Sequence, residues 1–451
     1  MGAKMRIRFF AGILIGLTVT AGMLPAHADV PPTPAETQSG GKEWQAWTIP
    51  ANISQSPATK PQSIWPTLDM DPNGHLIYVA WSDCREGGCG EPDSTAFLDV
   101  YYTLSINGGD SWASAQPIAS TEANSLRPSL KVANDTIAVV WAEEAGDLSG
   151  LTHVTYQWTL ETREMVEVPN NHSWLASAPD LAAESDGTLH LALQGGLATQ
   201  PDILYTRRDS GAASWLAAGV VFNHTASGSF NPAIAVSSDG QFVHLVWQEV
   251  GQVDESTIYY RRGKRSGNAV DWSAPVSLSP GIARSVRPAI VVGAGQTIHV
   301  AWGEQTSGYE TQYVRYARST DAGLNWSSPV RIDRAPVAAN AIAPTDVAPS
   351  LAVGPDTEVC TAWHGFRLDA TVEAEEIYVA CSTDGGTHWM APVNVSQSPL
   401  TVSIRPVLGL AGNGVLHVAW QELVGQSAKS DYQIFYSKSM PYSAMLPLIR
   451  R

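Results

Sequence analysis

Residues 288–326 read PAIVVGAGQTIHVAWGEQTSGYETQYVRYARSTDAGLNW, and this stretch decides the architecture of the chain. Pro288 opens a short apolar segment, a glycine-containing turn follows at Gly293 to Gln296, and a second apolar run leads from Ile298 to Trp302. Two apolar runs of strand length about such a turn predict a β-hairpin. A third strand, rich in tyrosine, contains Tyr313 and Tyr316, and a last turn carries Ser319, Asp321, Gly323 and Trp326 before a fourth strand.

Working outward, the same unit recurs behind Pro66, Pro128, Pro179, Pro232, Pro288, Pro349 and Pro406, at a pitch of 51 to 62 residues. The second-strand tryptophan returns at Trp81, Trp141, Trp247, Trp302, Trp363 and Trp420, and only the third unit substitutes it, by Leu193. Self-similarity at this period marks a repeat array rather than two or three unrelated domains. The fold expected is all-β: a seven-bladed β-propeller of four-stranded antiparallel blades. Residues 47–56, WTIPANISQS, match residues 389–398, WMAPVNVSQS, which end the sixth unit, while the last unit stops after its third strand. An N-terminal strand is therefore expected to complete the last blade and close the ring, removing the exposed sheet edge.

The turn after the third strand holds the most specific motif, S-x-D-x-G-x-x-W. It is complete at Ser319, Asp321, Gly323 and Trp326 and again at Ser382, Asp384, Gly386 and Trp389; Asn replaces Asp at Ser105, Asn107, Gly109 and Trp112. Ser and Asp side chains bond the turn backbone, Gly supplies a conformation other residues resist, and Trp packs across the blade. These are residues that build the fold. Through them the chain resembles the sialidase-like family of Asp-box (BNR) repeat proteins.

Lys4, Arg6 and Arg8, the apolar run Phe9–Leu24 and Ala26-His27-Ala28 read as a secretory signal cleaved near Ala28, so a secreted or extracytoplasmic protein is expected. Residues 1–28 are then the signal, 29–42 a flexible linker, 43–440 the propeller and 441–451 a short tail. Three of the 27 Lys and Arg residues and none of the 43 Asp and Glu residues fall in the signal, which takes the net charge from −16 to −19. Such acidity argues against nucleic acid and anionic membranes as partners, and no mature segment is long and apolar enough to span a bilayer. A monomer that engages a glycan or an extracellular protein is expected. Disulfide candidates are Cys84 with Cys89 and Cys360 with Cys381; for the second pair a cross-strand bridge and two buried thiols both stand open. No metal site and no cofactor is expected: Asp69, Asp71, Asn73 and Gly74 open like a calcium loop, but Ala80 stands where its bidentate Glu belongs.

Antiparallel connectivity puts the Asp boxes on a lower face, and puts the residues before each opening proline on an upper one. SLRP, SVRP and SIRP set Arg127, Arg287 and Arg405 at equivalent upper positions, with Trp65 in the first unit's version and Trp174 just before the third unit. Converging guanidinium groups hold carboxylates or sulfates, and the tryptophans offer stacking surfaces for sugar rings. Hairpin register also sets Glu143, Glu304 and Glu422 beside those arginines, which predicts in-blade ion pairs instead.

The resemblance implies a second reading, an exo-glycosidase of sialidase type with a degenerate arginine site. The family's enzymes place an arginine two residues before the first opening proline, where this chain has Ile64. The same resemblance matches Arg85 to the second arginine and Asp93 or Glu91 to the general acid. It also calls for a tyrosine nucleophile with an acidic partner, for which Tyr309 and Glu310 are available.

Overall fold

The computed structural model describes residues 44, 46–57, 62–85, 97–118, 121–133, 136–145, 152–159, 166–167, 177–197, 200–222, 228–251, 255–281, 284–305, 312–333, 347–366, 375–424 and 431–440. Among them all regular structure is β apart from a single 3-10 turn, Ala294–Gln296. No helix of the described residues is long and apolar enough to cross a membrane.

The described strands pair into five antiparallel sheets of four strands and one larger sheet. That larger sheet contains two further antiparallel sets, behind Pro232 and Pro288, joined by a single parallel bridge, Ser256 to Arg284. The unit quoted first folds as read: Arg284–Val292, Ile298–Gln305, Gln312–Ser319 and Val330–Arg331 pair in chain order. The last unit, Ser403–Leu410, Leu416–Leu423 and Tyr432–Lys438, takes its fourth strand from Ala51–Asn52, in register with Phe435 and Tyr436. First strands of successive units pack side by side, and Ile64–Met70 also packs on Ser403–Leu410. The whole is propeller-like.

The core lies between sheets. Trp81, Trp141, Trp247, Trp302 and Trp420 are fully buried, each within the apolar layer that joins its sheet to a neighbour. Non-polar burial is the main favourable term, and truncating such a tryptophan costs about 3–5 kcal/mol. Cys360 and Cys381 face each other across the sixth unit's central strands and form a disulfide. Cys84 is also disulfide-bonded, while Cys89 lies outside the described residues.

The Asp-box turns show why their residues are needed. Ser105, Ser319 and Ser382 each accept the N–H of the motif glycine at 2.8 Å and donate to Asn107, Asp321 and Asp384 at 2.8–2.9 Å. Trp112, Trp326 and Trp389 pack edge-on against Tyr436, Tyr260 and Tyr316 of the preceding unit, with centroids 4.7–4.9 Å apart. The motif thus fastens one unit to the next. Gly386 sits at φ +83°, and a Cβ there falls 1.9 Å from the Tyr316 hydroxyl. Gly386→Ala is expected to destabilise by about 3 kcal/mol, combining left-handed strain with overpacking. Gly385→Ala, at φ +68° with only the Arg318 guanidinium 3.4 Å away, is expected to lose about 1 kcal/mol. Urea unfolding of the pair measures the difference, and equal losses would show that the tyrosine contact contributes nothing.

Candidate functional site

The site begins with a local irregularity. Where six of the seven opening prolines enter their hairpins the register shifts, between Ile64 and Thr67, Leu126 and Ser129, Ser177 and Asp180, Phe230 and Ala233, Val286 and Ala289, and Ile404 and Val407. The X-Pro pair is a bulge, and the residue before proline is left-handed: φ is 55° at Trp65, 52° at Arg127, 48° at Ala178, 49° at Asn231, 48° at Arg287 and 54° at Arg405. Non-glycine residues adopt this shape only when surrounding structure enforces it, at about 1 kcal/mol or more each. Glutamines of the preceding units supply the enforcement. Gln421 accepts the Trp65 N–H at 2.9 Å, Gln194 that of Asn231 at 3.0 Å, and Gln248 that of Arg287 at 3.4 Å.

These bulges ring the mouth of a cavity of about 370 Å³ lined by all the first strands. Its rim carries Trp65, Arg127, Ala178, Asn231, Arg287, Ala348 and Arg405. Just inside, the residue after four of the prolines ties neighbouring strands together: Thr67 accepts the Leu130 N–H, Ser129 that of Leu181, Asp180 that of Ile234 and Ser350 that of Leu408, at 2.8–3.2 Å. Lys131, in the same wall, lies 4.0 Å from Asp69.

Charge is concentrated at the mouth. Burial, and then the nearby Arg287, lowers the Arg127 guanidinium to about 10. Arg127 lies over the Trp65 ring at 5.7 Å, a cation–π contact, and Trp65 itself packs on the cluster of Cys84 and Leu98. Glu375, whose carboxyl burial pushes up to about 7, raises the Tyr432 phenol, which burial raises first and Arg405 partly offsets.

The acids expected beside the arginines are bonded to other groups. Glu143 accepts from Ser125 at 2.7 Å, from Trp141 at 2.9 Å and from Thr121; Glu422 accepts from Ser403 at 2.6 Å, from Trp420 at 2.7 Å and from Thr401. Glu304 pairs with Arg315 on the next strand. The bulge is the reason. It turns the arginine out of the ladder, whereas the serine two residues earlier stays opposite the acid, as Ser125 does to Glu143 and Ser403 to Glu422.

Arg85 sits elsewhere. It pairs with Asp83 at 3.1 Å, donates to the Ser54 carbonyl at 3.0 Å and stacks over Tyr101 at 4.5 Å. Asp93, Glu91, Trp174, Tyr309 and Glu310 lie outside the described residues.

Two recurring pairs escaped the sequence reading. Serine three before the proline and acid two after the tryptophan occur together in the same five units, at Ser63/Asp83, Ser125/Glu143, Ser229/Glu249, Ser285/Glu304 and Ser403/Glu422. That co-occurrence is the signal that would have found the contact, which Ser63, Ser125, Ser229 and Ser403 make. The second pair joins His190, His244, His299 and His417 to Tyr205, Tyr260, Tyr316 and Tyr436, at 2.6–2.8 Å. In the sixth unit Cys360 takes the histidine's place, three residues before Trp363.

No protein-family model and no curated protein sequence matches the chain. Solved structures do. A polysaccharide lyase of family PL25, an ulvan lyase, superposes with a TM-score of 0.58 at 12% identity, over 86% of this chain and 93% of that one. Its complex with -[GlcA(1-4)Rha3S]- gives 0.57 over the same shares at 12% identity. A protein of unknown function from Dyadobacter fermentans gives 0.50 at 14% identity, over 88% and 99%. The NanB sialidase of Streptococcus pneumoniae gives 0.47 at 10% identity, over 88% and 70%. The first two likenesses show a fold shared with that lyase.

Proposed function

We propose that the chain is an exported seven-bladed propeller, closed by the strand Ala51–Asn52, that binds acidic glycans at the upper mouth of its central channel through Arg127, Arg287, Arg405 and Trp65. Trp174 belongs to the same proposed surface. One observation carries the reading: in a protein of net charge −16, Trp65, Arg127, Arg287 and Arg405 line one cavity, while Glu143 and Glu422 accept from serines and tryptophans of their own units and Glu304 pairs with Arg315. Like charges held together on a strained, enforced backbone suit an anion arriving from outside. The fold neighbour solved with -[GlcA(1-4)Rha3S]- supports an acidic polysaccharide as the ligand class.

Calorimetric titration tests this with polygalacturonate and chondroitin sulfate against neutral dextran. Arg127→Ala and Arg287→Ala are each expected to weaken acidic-glycan binding about tenfold or more, the worth of a charge-assisted contact, and 0.5 M salt to weaken it further. Equal binding to dextran, or none to either acidic polymer, overturns the proposal.

A hydrolytic reading has one observation in its favour. Glu375 is held near neutrality, and it acts with Arg405 on the Tyr432 phenol, which is acid–base material beside a cationic rim. Cleavage of a fluorogenic sialoside that Glu375→Gln and Asp93→Asn both abolish would favour it. Glycan binding without turnover favours recognition.

A further inference from the structure

Four units are fastened to the next by the same three groups. In the fifth unit His299 bonds Tyr316, and Tyr316 meets Trp389 of the next unit edge-on. Arg318, opposite His299 in the ladder, donates to the Gly385 carbonyl in the next unit's last turn. The third, fourth and last units repeat the arrangement, with Arg207, Arg262 and Lys438 as the cation.

The sixth unit replaces all three groups. By ladder position Cys360 stands for the histidine, Val379 for the tyrosine and Cys381 for the cation, and no other unit has cysteine at these places. Its neighbour explains the change. The turn it would fasten to lies between Ser439 and Trp47, but Ser439 follows the last unit's third strand and Trp47 comes from the N-terminal segment, so no motif turn of sequence joins them. Trp47 still fills the tryptophan's place, matching Trp389, and shares one buried layer with Trp44, Val379, Cys360 and Cys381.

We infer that the Cys360–Cys381 bond is a redox latch for the N-terminal strand: formed, it gives Trp44 and Trp47 a rigid seat, and reduced, it lets residues 44–56 open while the other fastenings stay shut. The two cysteines are 0% and 3% exposed, and two thiols take more room than a bonded pair, so reduction overpacks the layer. The weakest member gives way. Ala51–Asn52 pairs over two residues and, unlike the other fourth strands, is not joined by a turn to the third strand it covers. Reduction by a dithiol is a balanced two-electron exchange. One thiolate attacks a sulfur of the bond, the other cysteine leaves as thiolate and takes up a proton, and the second thiolate of the reagent releases the remaining cysteine as the reagent becomes a disulfide. The bond persists in an oxidising medium and is open in a reducing one, so the strand is held firmly in the first and loosely in the second.

Hydrogen exchange of the full chain, oxidised against dithiothreitol-treated, tests this. Peptides covering 44–56, where Thr48 and Ile53 donate to the Lys438 and Ile434 carbonyls, are expected to exchange about tenfold or more faster once reduced. Peptides covering 316–327, where Ser327 donates to the Arg318 carbonyl, are expected to change less than about twofold. Cys360→Ala combined with Cys381→Ala is expected to reproduce the difference with the Cys84 disulfide in place, and it decides the matter where the buried bond resists the reagent. In the reverse direction, Trp47→Ala is expected to speed reduction of the bond about tenfold or more, and Trp326→Ala, which removes the same ring at another junction, less than about twofold. Unchanged exchange over 44–56, faster exchange confined to 359–382, an equal rise in every peptide, or one reduction rate for both tryptophan variants each overturns the inference.

Discussion

A chain lacking residues 44–56 is expected to be recovered as aggregate rather than folded monomer. Those residues contribute Trp44 and Trp47, buried among Leu416, Val418 and Trp420, and Ile53, buried among Ile434 and Tyr436. They also cover the edge of Tyr432–Lys438: Thr48 N–H bonds Lys438 O at 2.9 Å, Ile53 N–H bonds Ile434 O at 2.9 Å, and Asn52 donates to Gln433 at 2.7 Å. Losing two buried tryptophans alone costs about 6–10 kcal/mol, against a stability of about 5–15 kcal/mol for a whole domain. The uncovered strand then becomes a template for pairing between molecules. Size-exclusion chromatography and far-UV circular dichroism, with a chain beginning at residue 43 as control, decide the matter. A monomer melting within a few degrees of that control would disprove the role given to the strand.

Acid is expected to have the second-largest effect. His244, His299 and His417 are buried, and burial before anything else lowers them, to about 4, 4 and 3; Arg262, Arg318 and Lys438 add to it, and Asp239 partly opposes it at His244. The unfolded chain protonates these imidazoles near 6.5, so it binds more protons than the folded chain below that pH. Their contribution is whole above about 6.5 and drains away as the pH falls toward 4, by about 2 kcal/mol each at pH 5. Asp333 and Glu375 act in the opposite sense, because burial raises them to about 6 and about 7. They hold protons in the folded state that unfolded carboxyls release, which offsets about half of the histidine loss over the same interval. Comparing the parent with His417→Gln cancels that offset. The stability gap between the two, from urea unfolding, is expected to shrink by about 2 kcal/mol from pH 7 to pH 5. A gap that stays constant would mean that this imidazole titrates alike in both states.

The strands were readable because each is marked by a residue the geometry cannot do without. A proline opens the first strand, a tryptophan fills the layer between sheets, and a glycine lies under a tyrosine where a Cβ does not fit. The terminal pairing was readable for the same reason: WTIPANISQS and WMAPVNVSQS both place an asparagine in a fourth strand, at Asn52 and Asn394. The mouth was half readable. Its arginines could be named, and they line one cavity, but ladder counting cannot detect a bulge, and one inserted residue hands Glu143 and Glu422 to Ser125 and Ser403. The His417–Tyr436 type of pair was missed because an isolated histidine inside an apolar run looks like filler until its diagonal neighbour on the next strand is known.

Trp65 is anchored by Gln421, which lies 356 positions further along the polypeptide. During synthesis the aromatic face leaves the ribosome early, yet it has no fixed orientation until almost the entire message has been translated. On the proposed reading, affinity is therefore a certificate of intactness: a molecule cut short before Gln421 lacks both the anchor of Trp65 and the strand that pairs with Arg405's own. Capture on an immobilised acidic polysaccharide would separate finished molecules from truncated ones without reference to their size.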